Sequence, residues 1–207
     1  MSDIKWLFFD LGSTLIDETE CYNSRIDFAV NSKNLNREEF LSKVYESAKT
    51  SATAIKTACS YYNIKLPEWD NKLEKLYSDT KQVLEILSKK YKLGIIANQS
   101  LGTKERLENW NIGRYFDVVV ASAEAGCAKP DLKIFNLALE QAGCKPNEAV
   151  MIGDRLDNDI VPAKQLGMKT VWVRQGFAKY QSIKSNDEQP DYTIETIKEL
   201  IHPDIFL

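Results

Sequence analysis

Two aspartates in this chain stand where short apolar runs end and a third follows closely, and that placement suits a metal site. Asp10 follows the run at residues 6–9, Asp154 follows the run at residues 149–152 with one glycine between, and Asp159 lies five residues further on. Mg²⁺ prefers oxygen ligands in octahedral geometry and takes them from carboxylates, waters and phosphate oxygens. We therefore expect Asp10, Asp154 and Asp159 to hold one Mg²⁺ ion, to which a phosphoryl group can bind.

An asparagine and a lysine follow two further apolar runs. Asn98 comes after the run at residues 93–97, and Lys129 lies between the run at residues 118–120 and a helical segment that Asp131 is well placed to cap. A lysine there can neutralise both the carboxylates and an incoming phosphate. Asp and Asn at strand ends also serve as turn formers and helix caps, so each residue alone is weak support for a site. The whole series favours a phosphate-binding site.

Buried strands that alternate with helices must position these side chains. Apolar runs of strand length lie at residues 6–9, 93–97, 118–120, 149–152 and 170–173, and helical patterns fill residues 79–90, 132–142 and 160–166. This alternation predicts an α/β fold with a doubly wound, Rossmann-like parallel sheet of right-handed βαβ units. Because ligands bind outside the carboxyl ends of the strands in such sheets, the residues named above are expected to meet at one edge.

Residues 18–76 have a different pattern. They contain no convincing strand, and helical runs occupy residues 26–30, 37–48 and 52–62. Pro67 suits the first position of one more short helix. We expect a small helical insertion at 18–76 and a core domain formed by residues 1–17 and 77–207.

Composition and charge narrow the choice of partners. The 207 residues suit one core domain plus an insertion, and a net charge of -3 lacks the excess of Lys and Arg that nucleic acid or an anionic membrane surface requires. Four scattered cysteines without CxxC spacing, and an N-terminus without a signal-peptide pattern, indicate a cytoplasmic protein with reduced thiols. We expect a monomer or homodimer that binds neither nucleic acid nor membrane.

Four sequence motifs in a fixed order resemble those of the haloacid dehalogenase-like superfamily, whose members are mostly Mg²⁺-dependent phosphohydrolases. FFDLGSTL resembles the family's DxDxT, LGIIANQS resembles an apolar strand capped by Thr or Ser, AKPD carries the motif lysine, and IGDRLDNDI resembles GDxxxND. Together they cover the core, residues 1–17 and 77–175. The resemblance implies a phosphohydrolase that acts on a small phosphorylated metabolite.

The resemblance also implies a role for each matching residue. Asp10 would attack phosphorus to give an aspartyl-phosphate that water then hydrolyses, and Lys129 would stabilise phosphoryl charge. Thr14, which would also support the loop, and Asn98 would bind the phosphate together with Lys129. The backbone carbonyl of Gly12 would join Asp10, Asp154 and Asp159 at the metal. The insertion resembles a small cap that selects substrate, with candidate contacts at Tyr22, Arg25, Tyr61, Tyr62 and Trp69, although aromatic residues in a helical bundle are commonly core.

Two residues depart from the family pattern. Gly12 replaces the aspartate that protonates the leaving group and later activates water, and general acid–base help is worth typically about 10²–10⁴-fold, so its loss is expected to lower activity. Asp17 or Glu18 could act as a surrogate, or could simply be solvated helix caps. Ala97 replaces the second motif's hydroxyl residue, for which Asn98 or Ser100 could compensate.

Three functions therefore compete. The leading hypothesis is a Mg²⁺-dependent phosphatase whose activity the missing aspartate would reduce, and the second is a phosphate- or metabolite-binding protein that has lost efficient turnover. The third is a true dehalogenase in which Asp10 attacks carbon. That chemistry needs no metal, and the dense acidic segment at residues 153–159 argues against it.

Overall fold

The computed structural model describes residues 4–50 and 53–202. In chain order, its strands and α-helices are β1 (Trp6–Phe9), β2 (Ile16–Asp17), α1 (Thr19–Lys33), α2 (Arg37–Ala48), α3 (Ala54–Tyr61), β3 (Lys75–Leu76), α4 (Thr80–Leu87), β4 (Lys92–Ala97), α5 (Thr103–Asn109), β5 (Val118–Ala121), α6 (Ser122–Ala125), α7 (Leu132–Ala142), β6 (Ala149–Gly153), α8 (Val161–Leu166), β7 (Lys169–Val173) and β8 (Tyr192–Ile194). Helices in this part of the chain are too short or too polar to cross a membrane.

Six of the strands form one sheet in the order β5-β4-β1-β6-β7-β8, and each neighbouring pair is parallel. The chain builds the sheet outward from β1 on one side through β4 and β5, then crosses to β6 on the other side. Phe9 at the end of β1 pairs with Ile95 on one side and Ile152 on the other. The predicted α/β doubly wound fold is confirmed, and its strand order reverses beside β1.

The sheet is buried on both faces, which is why its strands are almost continuously apolar. Leu7 and Phe9 of β1 point to one face, where Leu84 of α4 covers them, and Phe8 points to the other face, where Phe135 of α7 covers it. These side chains are fully buried. The core therefore fixes the height and direction of β1 within the sheet, and with them the position of the residue that follows it.

The insertion has an apolar core of its own, contributed by α1, α2 and α3, with Phe40 and Val44 at its centre. It leaves and rejoins the rest of the chain through an antiparallel pair of two-residue strands, β2 and β3, in which Ile16 faces Leu76. The expectation of no strand in residues 18–76 is therefore wrong at Lys75–Leu76, because two residues are too few to show an alternating pattern. The exact division into a core at 1–17 and 77–207 and a cap at 18–76 stays a prediction.

Two further local expectations differ from the structure. Pro67 does not open a helix; a short 3₁₀ helix begins later, at Asn71–Leu73, where Asp70 accepts a hydrogen bond from the backbone N–H of Lys72. The first residues of the predicted helix 52–62 fall partly outside the described residues, and the helix begins at Ala54. Strand β8 was not predicted, because its three residues carry only one fully apolar side chain.

Candidate functional site

Asp10, Asp154 and Asp159 meet at the carboxyl edge of the sheet, as the sequence predicts. Asp10 follows β1, and its backbone N–H still continues the ladder by donating to Ile152 O at 2.9 Å. Asp154 follows β6, and Asp159 lies in the single π-helical turn Leu156–Ile160. One carboxylate oxygen from each aspartate lies within 4.8 Å of the others, and all three residues are buried. Positions 144 residues apart in sequence can therefore share one ion.

The close packing of Asp159 against β6 explains the glycine that precedes Asp154. A Cβ at position 153 would lie only 2.4 Å from Cγ of Asp159, so a side chain there would displace the carboxylate. The backbone N–H of Arg155 then donates to Asp159 Oδ2 at 3.0 Å. The Gly-Asp pair at the end of β6 thus places two carboxylates side by side.

Lys129 lies between the carboxylates. Its Nζ donates to Asp10 Oδ1 and to Asp159 Oδ1, each at 2.6 Å, and the residue is 5% exposed. Burial alone lowers the pKa of Lys129, but the charges and hydrogen bonds of the two aspartates outweigh it, so the pKa is raised above its usual range. The ammonium group is therefore fixed in place with its charge retained.

Asn98 holds the backbone of Lys129 rather than pointing freely into solvent. Its Nδ2 donates to Lys129 O at 2.9 Å, and its Oδ1 accepts from the backbone N–H of Lys129 at 2.8 Å. Asp131 caps the next helix as predicted, accepting a hydrogen bond from Lys133 N at 2.9 Å. The segment that carries Lys129 is thus tied down at both ends.

The donor set suits a divalent cation. Three carboxylates and one ammonium leave two negative charges to be balanced, and Asp154 Oδ1 is buried with no hydrogen-bond partner among the described residues. Burial, followed by the charges of Asp10 and Asp159, raises the pKa of Asp154 well above its usual range. Burial likewise raises the pKa of Asp159 to about 6, against the lowering effect of Lys129. A bound divalent cation would remove this repulsion, and oxygen ligands of this kind suit Mg²⁺.

The space beside Gly12 is filled by another residue's carboxyl group. A Cβ built on Gly12 would lie 2.4 Å from Glu18 Oε1. Glu18 is buried, and its Oε2 accepts hydrogen bonds from Ser13 Oγ at 2.9 Å and from Tyr22 OH at 2.7 Å. Burial raises the pKa of Glu18 to about 7, although the two hydrogen bonds lower it. This carboxyl group can therefore hold or release a proton near neutral pH.

Thr14 lies behind the loop and does not line the cavity at the site. It is fully buried, its backbone N–H donates to Leu11 O at 3.2 Å, and its hydroxyl oxygen has no hydrogen-bond partner within the part of the chain that the structure describes. The neighbouring Ser13, with a positive φ of 55°, lines the cavity instead. Sequence reasoning missed Ser13, because the family resemblance drew attention to the threonine.

A cavity of about 630 Å³ opens in front of the carboxylates. Of the predicted contacts in the insertion, Tyr22, Arg25 and Trp69 line it. Tyr61 is 66% exposed and Tyr62 packs against Phe40, and neither is among the lining residues. The insertion therefore forms one wall of the cavity, through three of its five candidates.

The loop after β7 contributes a part of the cavity that the sequence did not indicate. Phe177 lines the cavity and packs edge-on against Tyr22, with ring centroids 5.1 Å apart. A single aromatic residue in a polar loop carries no sequence signal for such a position.

Arg155, which follows β6, also lines the cavity. It makes two hydrogen bonds to Asp157 at 3.1 and 3.3 Å, so Asp157 pairs locally and does not join the carboxylate cluster.

Comparison with known proteins shows that this chain is similar to haloacid dehalogenase-like hydrolases and to proteins named as phosphatases. The model of a family described as haloacid dehalogenase-like hydrolase matches residues 7–173. A glyceraldehyde 3-phosphate phosphatase of Methanocaldococcus jannaschii is 38% identical over 144 residues, 69% of this chain and 60% of that protein. Pyrophosphatase PpaX of Bacillus velezensis is 30% identical over 207 residues, covering 95% of this chain and 94% of that protein. For three other archaeal glyceraldehyde 3-phosphate phosphatases, the chain spans about half of their length, 48% to 50%.

Solved structures of similar proteins have the same fold as this chain. A phosphatase from Thermococcus onnurineus superposes with a TM-score of 0.65 at 28% identity, covering 95% of this chain and 96% of that one. A predicted phosphoglycolate phosphatase from Haemophilus somnus superposes with a TM-score of 0.70 at 21% identity over 97% of each chain, which shows a common fold. Because the family model spans most of the sequence, this chain belongs to the haloacid dehalogenase-like hydrolases.

Proposed function

We propose that the protein is a Mg²⁺-dependent phosphatase that hydrolyses a small phosphorylated metabolite through an aspartyl-phosphate on Asp10. The observation that carries this proposal is the cluster of Asp10, Asp154 and Asp159 within 4.8 Å, held by Lys129 at the floor of a cavity. The similar proteins named as phosphatases support the same class of reaction.

The metal ligands that we propose are Asp10, Asp154, Asp159 and the backbone carbonyl of Gly12. Bound there, Mg²⁺ would supply positive charge to the phosphoryl oxygens. The buried, unpartnered Oδ1 of Asp154 supports this assignment. A dehalogenase that attacks carbon needs no metal, so the cluster of three carboxylates argues against that function.

Each of the protein's own residues at the site has a separate role in the proposed reaction. An Asp10 carboxylate oxygen attacks phosphorus while the bond from phosphorus to the leaving-group oxygen breaks, and water later hydrolyses the aspartyl-phosphate. Lys129 keeps Asp10 oriented and stabilises negative charge on the phosphoryl group. Asn98 supports phosphate binding by holding the Lys129 backbone, and Thr14 supports the loop from behind.

The wall from the insertion selects the leaving group. Arg25 lies over the Trp69 ring, 4.8 Å from its centroid, and donates through NH2 to Pro67 O at 3.0 Å. Its Nε is buried without a hydrogen-bond partner among the described residues, and the residue lines the cavity. We therefore expect the leaving group to carry a polar or anionic substituent that reaches Arg25.

The remaining expectations concern the protein's surroundings. All four cysteines, which lie in the described residues, are free thiols, and this supports the proposed cytoplasmic location. A monomer or homodimer without nucleic acid or membrane as partner stays a prediction from the composition.

Hydrolysis assays test the proposal directly. The purified protein should release phosphate from p-nitrophenyl phosphate, acetyl phosphate and a panel of small sugar and acid phosphates, with Mg²⁺ and not with excess EDTA. If phosphate binds in calorimetry but no member of the panel is hydrolysed, the protein is instead a phosphate-binding member of the family. Chloride release from 2-chloropropionate without Mg²⁺ would favour the dehalogenase.

A further inference from the structure

We propose that Glu18 is the general acid and base of this site, taking the place of the side chain that Gly12 lacks. The inference rests on the phosphatase function proposed above and assigns a catalytic role that the family motif would give to position 12.

The geometry places the carboxyl group of Glu18 where a side chain at position 12 would be. From an ideal Cβ on Gly12, Glu18 Oε1 is 2.4 Å away, Cδ is 2.9 Å away and Oε2 is 3.0 Å away. An aspartate at position 12 would have to occupy that same space. Glu18 lines the same cavity as Asp10 and Lys129, although it lies on the segment that leads into the insertion. The carboxyl group of Glu18, six residues later in the chain, thus occupies the space of the side chain that Gly12 lacks.

The carboxyl group is also oriented. Ser13 Oγ and Tyr22 OH both donate to Oε2, at 2.9 and 2.7 Å, so Oε1 is the oxygen that faces Gly12. Two donors on one oxygen fix the plane of the carboxyl group and leave the other oxygen to exchange a proton with a ligand in the cavity. A positioned acid is what general acid–base catalysis needs.

The alternative role of Glu18 as a solvated helix cap does not match its contacts. Glu18 stands at the N-cap position of α1, but its side chain makes no capping hydrogen bond to the helix, and the residue is only 9% exposed. A capping side chain would accept hydrogen bonds from the first backbone N–H groups of the helix. The carboxyl group therefore does not cap the helix, and Glu18 lines the cavity instead.

Asp17, the other acidic candidate, has a different position. Its Oδ1 accepts a hydrogen bond from the backbone N–H of Thr19 at 2.9 Å, and it is not among the residues that line the cavity. Asp17 therefore stabilises its own turn. Of the two acidic candidates for the missing function, the structure selects Glu18.

Over the two half-reactions, Glu18 gives up one proton and regains one. In the first, Asp10 forms its bond to phosphorus as the ester bond breaks, and protonated Glu18 gives its proton to the departing oxygen, so that an alcohol leaves. In the second, ionised Glu18 takes a proton from water as the water oxygen bonds to phosphorus and the bond from phosphorus to Asp10 breaks. Inorganic phosphate leaves, and both residues return to their starting states.

The test compares leaving groups. In Glu18→Gln, the rate of aspartyl-phosphate formation from glycerol phosphate, measured in a single turnover, should fall by about 10²-fold or more, on the usual scale of general acid–base catalysis. Release of p-nitrophenol from p-nitrophenyl phosphate needs no proton, so formation of the aspartyl-phosphate from this substrate should change little. The matched control is Glu20→Gln, which removes an exposed carboxylate nearby on α1 and should leave the ratio of the two rates unchanged.

A second measurement follows the intermediate itself. Without a base for the second half-reaction, Glu18→Gln mixed with acetyl phosphate and Mg²⁺ should accumulate phosphorylated protein, detected by intact mass spectrometry. The wild-type protein should show little of this species at steady state. This readout separates a loss of proton transfer from a loss of binding.

The exchange variant Gly12→Asp with Glu18→Ala moves the carboxyl group back to position 12 and should restore most of the turnover of glycerol phosphate. Gly12→Asp alone should gain little, because the new side chain meets the Glu18 carboxyl group. If Glu18→Gln does not fold, as judged by circular dichroism, the exchange variant decides the question.

The outcomes that overturn the proposal are distinct from those that overturn the function. An equal loss in the rate of aspartyl-phosphate formation from both substrates in Glu18→Gln, or no loss at all, sinks the role of Glu18 while the phosphatase assignment stands. An exchange variant that folds but regains nothing also counts against it. A wild-type protein that hydrolyses no phosphate ester overturns the phosphatase function and this inference with it.

Discussion

The cavity has two walls, and they are built in different ways. The wall from the sheet carries Asp10, Asp154 and Lys129 at strand ends or on a loop clamped at both ends, with hydrogen bonds of 2.6 Å between buried charges. The wall from the insertion is largely aromatic: Tyr22 packs edge-on against Trp69 with ring centroids 5.4 Å apart, and Arg25 lies over the same ring. The wall from the sheet carries the charged groups of the site, and the wall from the insertion determines the shape of the cavity.

This difference indicates that the residues for catalysis and the residues that select the substrate can change independently of each other. The strand ends are fixed by the register of a sheet buried on both faces, so a charge placed there is held at a defined position relative to its partners. The insertion has its own core, so we expect substitutions of its lining residues to have little effect on the sheet. We expect substitutions in the sheet wall to act on kcat and metal binding, and substitutions in the insertion wall to act mainly on KM.

The largest effect is expected for Asp10→Asn. The amide cannot attack phosphorus, so kcat should fall by about 10⁴-fold or more, the scale on which loss of a catalytic nucleophile acts. Phosphorylated protein should also be absent after mixing with acetyl phosphate, as measured by intact mass spectrometry. The control is Asp157→Asn, which removes a nearby aspartate that pairs with Arg155. Comparable losses in both variants would contradict the assignment of the nucleophile.

The second prediction concerns metal binding through Asp154→Asn. Mg²⁺ at 100 times its Kd should stabilise the wild-type protein by about 2.7 kcal/mol, measured as a rise in Tm, and the variant should show no such rise. In excess EDTA the order should reverse, because the variant no longer buries a third carboxylate beside Asp10 and Asp159. A variant that is less stable than the wild-type protein in EDTA would show that the electrostatic account of the cluster is wrong.

The positions of Asp10, Asn98 and Asp154 in the sheet wall could be predicted from the sequence because each of them follows a buried strand. The runs that end at Asp10, Asn98 and Asp154 are apolar on both faces, so their ends are visible in the sequence, and parallel pairing brings those ends to one edge. Asp159 follows no strand, and its prediction depended on its place in the acidic segment five residues beyond Asp154, since its π-helical turn has no periodic pattern of its own.

The insertion wall could not be predicted to the same depth. Aromatic residues on helices have the same pattern whether they fill a core or line a cavity, so Tyr62 and Trp69 could not be told apart. Phe177 reaches the cavity from a distant loop, and the carboxyl group of Glu18 occupies the space beside Gly12. Such relations join residues through space and leave no trace in local periodicity.

A moderate effect on the insertion wall is expected for Arg25→Ala. Loss of hydrogen bonds from a charged donor costs about 1.5–3 kcal/mol, which corresponds to a rise in KM of about tenfold or more for substrates with an anionic substituent, at nearly constant kcat. The rise should be small for p-nitrophenyl phosphate, which lacks that substituent. Arg37→Ala is the matched control, because Arg37 pairs with Asp27 on the outer surface of the insertion. A fall in kcat with constant KM would place Arg25 with the catalytic residues instead.

The smallest effect is expected for Tyr22→Phe, at the point where the two walls meet. The variant loses the hydrogen bond from Tyr22 OH to Glu18 Oε2, while Ser13 still donates to the same oxygen. One such hydrogen bond contributes about 1 kcal/mol, so the free energy of unfolding should fall by about that amount and kcat for alkyl phosphates by only a few-fold. Tyr61→Phe, at an exposed ring, should change neither quantity. If Tyr22→Phe instead raises KM alone, Tyr22 belongs entirely to the wall that selects substrate, and the orientation of Glu18 depends on Ser13.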